Sequence, residues 1–132
     1  MKLFIFGLIV SLSVISFAQI DTVKNEKTVY FFGPSIAEQD TLNENNLDVI
    51  DDFFYYTNRI VPFLEQNNIK SEYLTDRNIL IKYNVDSSIT VNRDSIDFGT
   101  ILTDGKNKPK ILKYVLTDDV LEEKIKTYFN LK

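Results

Sequence analysis

Residues 29–40 read VYFFGPSIAEQD, a β-branched and aromatic run that ends at Gly33 and Pro34. Because proline has no amide hydrogen to donate to a neighbouring strand, a strand is expected to stop before Pro34. The run TVYFF, residues 28–32, is apolar on both faces, which is typical of a central strand. We therefore expect a sheet with this strand in its interior, followed by a polar loop over residues 35–46.

The loop after this turn is a place where α/β proteins often keep functional groups. A single glycine without a nearby lysine does not make a phosphate-binding loop. Ser35 has no histidine to activate it, because the chain contains none. A lysine could activate the serine instead, but no sequence pattern indicates which lysine would do so. The favoured interpretation is a plain strand-to-loop turn.

The next stretch, residues 47–69, has the apolar period of an amphipathic helix. The two asparagines before Leu47 are candidate caps, and Asn67 and Asn68 are expected to close the helix. Pro62 removes the hydrogen bond to the Asn58 carbonyl, so we expect a bend near Asn58. The apolar positions are Leu47, Ile50, Phe54, Val61 and Leu64.

The rest of the chain predicts strands and one more helix. A strand is expected over residues 70–74, and alternating apolar residues over 79–93 predict a hairpin with a turn at 86–88. Two further strands, 98–102 and 110–116, flank the hairpin signal Asp104-Gly105. Residues 117–129 predict a C-terminal helix, with Asp119 and Glu122 at capping-box spacing. The fold class is α/β or α+β: a mixed sheet with one long Pro-kinked helix and a C-terminal helix, in the order β-α-β-(ββ)-β-β-α.

The strand VYFF, the helix segment RIVPFLEQ and the stretch FGTILTDGKNKPKILKYVLTDDVLEEKIKTYF together resemble the βαβ and ββα halves of the thioredoxin-like fold. The resemblance implies architecture rather than activity. The Cys-x-x-Cys motif of redox-active members is replaced by YTNR, residues 56–59, and no proline stands at 97–99, where the family has its cis-proline. Since thiol-disulfide exchange needs sulfur, the resemblance implies a redox-inactive module. An unrelated α+β domain with the same element order is the alternative.

The N-terminal segment has the composition of a secretory signal peptide. Residues 1–18 combine Lys2, an apolar run and a small-residue end, which predicts cleavage after Ala18. An uncleaved membrane anchor is the alternative, but the run is shorter than the roughly 20 residues that a spanning helix needs. Residues 19–27 are expected to be a flexible leader and residues 28–132 a single globular domain. The expected location is extracytoplasmic, periplasmic or secreted, without a stable membrane anchor after cleavage.

The composition restricts the chemistry that the chain can perform. The 132 residues include no cysteine and no histidine, so disulfides, thiol nucleophiles, imidazole bases and the usual zinc sites are excluded. The formal net charge of −4 is unfavourable for nucleic-acid binding, which relies on clustered lysine and arginine. We therefore predict no catalytic residues, no cofactor and no metal site.

An aromatic band is the strongest functional signal in the sequence. One helix face cannot hide all of residues 53–56, FFYY, so some rings should reach the surface, where aromatic side chains are favoured binding anchors. The leading hypothesis is a non-catalytic interaction or accessory domain for an unidentified protein partner. Its candidate partner-binding residues are Phe53, Tyr55, Tyr56, Ser35 and Glu38.

Two other classes of function remain open at this point. A small hydrolase could use Glu38, Asp40 or Asp48 as acid and base, provided that two of these carboxylates share a pocket and one has a raised pKa. A structural or self-assembling protein is the third class.

Overall fold

The computed structural model describes residues 17–21, 26–114 and 116–132. The mixed α/β class expected from the sequence is confirmed. In chain order the elements are β1 (Phe17–Asp21), β2 (Thr28–Phe32), α1 (Ile36–Gln39), α2 (Glu44–Gln66), β3 (Lys70–Leu74), β4 (Asn78–Tyr83), β5 (Ser87–Asn92), β6 (Gly99–Thr103), β7 (Lys110–Lys113) and α3 (Asp118–Phe129).

The strands form two mixed sheets rather than the single mixed sheet expected. The larger sheet has the order β3-β2-β6-β7, with β2 parallel to β3 and antiparallel to β6. The smaller sheet has the order β1-β4-β5. The hairpin predicted for residues 79–93 is confirmed as β4 and β5, with Ile79 opposite Val91 and Ile81 opposite Ile89. It joins β1 instead of extending the larger sheet.

The hairpin forms a separate layer because the central strands of the larger sheet are apolar on both faces. In β2, Val29 and Phe31 belong to the core under the helices, whereas Tyr30 and Phe32 face the smaller sheet. One apolar face of the β4-β5 hairpin covers that second side of the larger sheet. The layers are therefore helices, four-stranded sheet and three-stranded sheet, with one core at each junction.

Strand β1 corrects the flexible leader expected for residues 19–27. Residues 19–21 belong to β1, which pairs in parallel with β4. Ala18 and Ile20 pack against the core of the smaller sheet, two positions apart, as in a strand with one buried face. Residues 22–25 and 1–16, the latter most of the predicted signal peptide, lie outside the described residues. Cleavage after Ala18 would divide β1.

Helix α2 begins and ends through local hydrogen bonds. Its N-cap is Asn43, whose side chain accepts from the Asn46 amide at 2.9 Å, rather than one of the two asparagines before Leu47. The helix continues through Pro62 and closes as predicted at Asn67 and Asn68. Asn68 has φ 55°, and the Ile69 amide donates to the Leu64 carbonyl at 2.9 Å. This Schellman-type end brings together Leu64 and Ile69, which both lie in the core.

The start of α3 lacks the capping box that the sequence predicts. Thr117 is the N-cap of α3 and makes no side-chain capping bond, although Asp118 and Asp119 lie in the first turn as expected near a helix N-terminus. Within the residues that the structure describes, no helix is long and apolar enough to cross a membrane.

Candidate functional site

A cleft of about 230 Å³ opens beside the first turns of α2, at the ends of β5 and β7. Its walls are mainly apolar and come from elements far apart in sequence. A concave apolar site with a few polar groups is the usual form of a binding pocket. The apolar lining residues are Phe32, Val49, Val91, Ile96, Phe98 and Tyr114, and the polar ones are Asn46, Asn92, Arg93, Asp97 and Lys113.

The rim of this cleft exposes large apolar side chains. Val49 is 43% exposed, Ile96 45% and Tyr114 73%. Single exposed apolar residues are common, but three around one concavity form a patch that a ligand could cover. The cleft is therefore the best candidate binding site in the described residues.

Tyr114 stands in a backbone conformation that tyrosine rarely adopts. Its φ is 74°, and its amide donates to the Phe98 carbonyl at 3.4 Å. A residue with a Cβ atom in the left-handed region costs about 1–2 kcal/mol relative to the right-handed one. Such backbone strain is concentrated at functional sites. The fold therefore holds this ring at the mouth of the cleft at the expense of stability.

The wall of the cleft is supported by Arg93, whose side chain is fully buried. Its Nε donates to the Asp76 carbonyl at 3.0 Å, and Nη1 donates to the Asp94 carbonyl at 3.1 Å. Nη1 and Nη2 also donate to the two Glu38 carboxylate oxygens at 3.2 and 2.6 Å, and Nη2 donates to the Thr75 carbonyl. All five donors of the guanidinium thus have acceptors. Arg93 joins α1, the β3-β4 loop and the end of β5 into one unit.

Glu38 has a structural role on the other side of this ion pair. It accepts from the Ser35 amide at 3.1 Å while its own amide donates to the Ser35 hydroxyl at 3.2 Å, which is a capping box around α1. Its carboxylate also accepts from Arg77 Nε at 2.7 Å. Hydrogen bonds from Arg93, opposed by partial burial, hold the pKa of Glu38 at about 2. A carboxyl so acidic is unsuited to donate a proton near neutral pH.

The hydrolase alternative required a raised pKa at one of its three carboxyl groups, and Glu38 has a lowered one instead. Asp40 and Asp48 are both exposed. Among the described residues no three or more acidic side chains are arranged to hold a metal ion.

The Gly33-Pro34 turn is fixed by contacts of the fold itself. The Tyr73 hydroxyl donates to the Pro34 carbonyl at 2.8 Å, and the Gly33 amide donates to the Leu74 carbonyl at 3.0 Å. Burial raises the pKa of Tyr73 to about 12, so the hydroxyl stays a donor. A Cβ atom at Gly33 would lie 2.8 Å from that hydroxyl, which explains why glycine stands there. The turn is the structural connection that its sequence suggests.

The structure separates the five predicted partner-binding residues. Phe53 is only 2% exposed and lies in the core, 5.0 Å from the Phe98 ring, so its inclusion in a surface band is wrong. The reason is that its side of α2 faces β2. Tyr55 is 56% exposed, and the half-buried Tyr56 contacts it at 5.3 Å between ring centroids. Ser35 and Glu38 lie together in the capping box and share no ring contact or hydrogen bond with the tyrosines.

Tyr55 is part of a small polar surface cluster. The Arg59 guanidinium lies 5.5 Å from the Tyr55 ring centroid and donates to its hydroxyl at 3.2 Å. Arg59 Nε also donates to Asp118 at 3.0 Å, and this bond lowers the pKa of Asp118. The cluster links the surfaces of α2 and α3.

Sequence reasoning missed both α1 and the cleft. Ser35-Ile36-Ala37-Glu38 has the Ser-x-x-Glu signature of a capping box, which could have identified the helix start. No sequence signal pairs Arg93 with Glu38, because 55 positions separate them.

We expect the Glu38 carboxylate to make stability depend on acid pH. Its folded pKa of about 2 lies below the ordinary 4.5, so its stabilisation is complete above that ordinary value and is lost as the pH falls from 4.5 towards 2. Glu38→Gln retains a side chain that suits the capping box but removes the charge. The difference in free energy of unfolding between wild type and Glu38→Gln should shrink steadily over that range in urea titrations. The other acidic residues are the same in both proteins, so their contributions to the pH dependence cancel in this difference. A difference that stays constant with pH would contradict the ionic role of Glu38.

Comparisons of this chain with protein-family models, with curated proteins and with solved structures find no match.

Proposed function

We propose that this chain is a non-catalytic interaction domain that works outside the cytoplasm and binds a protein partner through the cleft beside α2. The observation that supports this most is the strained and exposed Tyr114 at the mouth of an apolar cavity, next to exposed Ile96 and Val49. A fold gains nothing from holding an aromatic ring in solvent with unfavourable backbone geometry. A partner that buries the ring gains binding free energy, since aromatic anchors contribute strongly to interfaces.

The size and lining of the cleft fit a side chain better than a substrate that must be activated. A volume of about 230 Å³ accommodates one or two large apolar side chains. The arginine in its wall has no free donor, because the Glu38 carboxylate and three carbonyls accept all five hydrogens. Arg93 therefore shapes the cavity and is not available to polarise a bound carbonyl.

The proposal includes a redox-inactive thioredoxin-like architecture. Two arrangements support it: the parallel β2 and β3 joined by α2, and the antiparallel β6 and β7 followed by α3. These correspond to the βαβ and ββα halves of the resemblance. The extracytoplasmic location rests on the signal-peptide pattern of residues 1–18. Analysis of the N-terminus of the protein recovered from its host tests it, and an intact N-terminus in a cytoplasmic fraction would contradict it.

Tyr55 and Tyr56 form a second candidate contact surface. Tyr55 is exposed on α2 beside Arg59 and Asp118, which gives an aromatic face with both charges at its edge. Tyrosine and arginine are enriched among residues that dominate binding energy. This surface and the cleft do not share lining residues, so substitutions can separate them.

Affinity capture from the extracytoplasmic extract of the host tests the proposal. Ile96→Ser, on the cleft rim, should lower the amount of captured partner, whereas Ile36→Ser should not. Ile36 is the matched control because it is 81% exposed on α1 and does not line the cleft. Loss of capture only in the Tyr55→Ala and Tyr56→Ala double variant would assign binding to the tyrosine surface of α2 instead of the cleft. A wild-type chain that captures nothing would contradict an interaction domain.

We expect Tyr114→Gly to weaken capture without weakening the fold. Glycine removes a left-handed strain of about 1–2 kcal/mol but adds about 0.5–1 kcal/mol of chain entropy on unfolding, so the free energy of unfolding should stay equal or rise by up to about 1.5 kcal/mol. Urea unfolding gives the stability, and the capture experiment gives the binding. Asn84→Gly is the control, since Asn84 also has positive φ, 53°, but lies in the β4-β5 turn. A destabilised Tyr114→Gly variant would assign the ring a structural role.

A further inference from the structure

Strand β5 is an open edge of the smaller sheet and carries no charge. Its sequence is SSITVN, and no other described strand pairs with the side opposite β4. Exposed edges usually carry charged residues that prevent pairing with another chain. The other three edge strands follow this rule: β3 has Lys70 and Glu72, β7 has Lys110 and Lys113, and β1 has Asp21. β5 is thus the unprotected edge among the strands described.

The hydrogen-bonding pattern shows which groups of β5 are free. The Arg93 amide donates to the Arg77 carbonyl at 2.9 Å, and these two residues continue the β4-β5 register. In an antiparallel ladder, alternate residues bond to the partner strand and the residues between them point the other way. The amides and carbonyls of Ser88, Thr90 and Asn92 therefore point away from β4, towards the open edge of the sheet. Their side chains are exposed and uncharged.

We propose that β5 pairs with β5 of a second copy of this chain, antiparallel about a twofold axis at Thr90. This register places Thr90 opposite Thr90 and Ser88 opposite Asn92 of the second copy. It is the alignment in which all three outward-facing residues of each strand bond, because a shift by two positions leaves one residue of each copy unpaired. Both three-stranded sheets then join into one sheet of six strands.

The side chains of β5 suit a second copy better than a charged peptide. Two uncharged strands meet without like charges, and threonine opposite threonine is a favourable cross-strand pair. On the inner face, the half-buried Ile89 comes to lie beside Val91 of the second copy, which extends the core of the smaller sheet.

The exposed apolar residues beyond the two ends of β5 also match under this symmetry. Val85, in the β4-β5 turn, is 89% exposed, and Ile96, in the loop after β5, is 45% exposed. Positions whose numbers sum to 180 lie opposite each other in the proposed register, so residue 85 faces residue 95 of the second copy. The turn that carries Val85 thus approaches the loop that carries Ile96. Asn92 and Ile96 also line the cleft, so this contact lies beside it, whereas Thr90 at the centre of the contact does not line it.

Cross-linking of single-cysteine variants tests the register, since the chain has no cysteine of its own. Opposed hydrogen-bonded residues lie about 5.5 Å apart between Cα atoms, within the disulfide range. Oxidised Thr90→Cys should therefore form a covalent dimer. Ser88→Cys alone should not, because its two copies lie more than about 13 Å apart, whereas a mixture of Ser88→Cys and Asn92→Cys should. Equal cross-linking of every variant, or none in Thr90→Cys, would overturn the proposal.

Mass in solution is the second readout, measured by light scattering on the chain as recovered from expressing cells. Wild type should shift to twice its monomer mass as its concentration rises. Thr90→Lys and Thr90→Glu should each stay monomeric and folded by circular dichroism, while a mixture of the two should dimerise. Thr127→Lys, at an exposed position of α3, is the control for added charge and should dimerise as wild type does. A wild-type chain that is still a monomer at about 1 mM would overturn the proposal. That conclusion would hold even if Thr90→Lys reduced the capture of another protein.

Discussion

Replacing Arg93 with methionine is expected to lower the free energy of unfolding by about 3–5 kcal/mol, the range for removing one partner of a buried ion pair. Methionine fills much of the space but provides no donors. Glu38 then keeps only its ion pair with the more exposed Arg77. The carbonyls of Thr75, Asp76 and Asp94 lose the hydrogen bonds that Arg93 donates. The total free energy of unfolding of a small domain is about 5–15 kcal/mol, so this loss is a large part of the stability.

Urea unfolding at neutral pH, followed by circular dichroism, measures this effect. Arg59→Met is the matched control, because Arg59 is exposed and solvent screens its ion pair with Asp118, so its replacement should lower the free energy of unfolding far less. If Arg93→Met does not fold, Arg93→Lys keeps the charge without the five-donor fork and should fall between the two. Equal losses in Arg93→Met and Arg59→Met would contradict the structural role of the buried guanidinium.

Replacing Gly99 with alanine is expected to destabilise the fold by about 1–3 kcal/mol, towards the upper part of that range for overpacking. A Cβ atom at Gly99 would lie 2.5 Å from the Leu112 carbonyl oxygen and 2.7 Å from Phe32 Cζ. The oxygen belongs to the backbone of β7, which pairs with β6 at this point, so it cannot rotate away. Phe32 is 2% exposed and has little space to move.

A double-mutant cycle separates the two contacts. Phe32→Leu removes the ring atoms but leaves the Leu112 carbonyl in place, so Gly99→Ala should cost less in that background than in wild type, yet still destabilise. Because Phe32 lines the cleft, Gly99→Ala should also reduce partner capture. An alanine variant as stable as wild type, with unchanged capture, would be the contradicting result.

The order of most helices and strands could be predicted because it depends on residues close together in sequence. The alternation of Ile79, Ile81, Ile89 and Val91 identified the β4-β5 hairpin and its register. The asparagines at 67 and 68 marked the end of α2. The Ser35-x-x-Glu38 pattern was equally local, and α1 was missed because the polar composition around it favoured a loop.

The candidate site could not be predicted, since its members come together only through packing. Phe53 and Tyr55 are two positions apart in one aromatic run, yet one lies in the core and the other in solvent. Which ring is buried depends on the side of α2 that meets β2, and four consecutive aromatic residues do not specify that side. The cleft joins residue 32 to residue 114, and no periodicity relates them.

By itself, the sequence determined the secondary structure of most of the chain, the interior position of TVYFF, and the absence of thiol and imidazole chemistry. These follow from side-chain type and from spacings of two to four residues. Only the tertiary structure decided that β4 and β5 join β1 in a separate sheet, that Glu38 is bound to a buried arginine, and that Tyr114 stands at a cleft. Those outcomes depend on which apolar faces cover each other, and that choice is made by the free energy of the whole core rather than by any local segment.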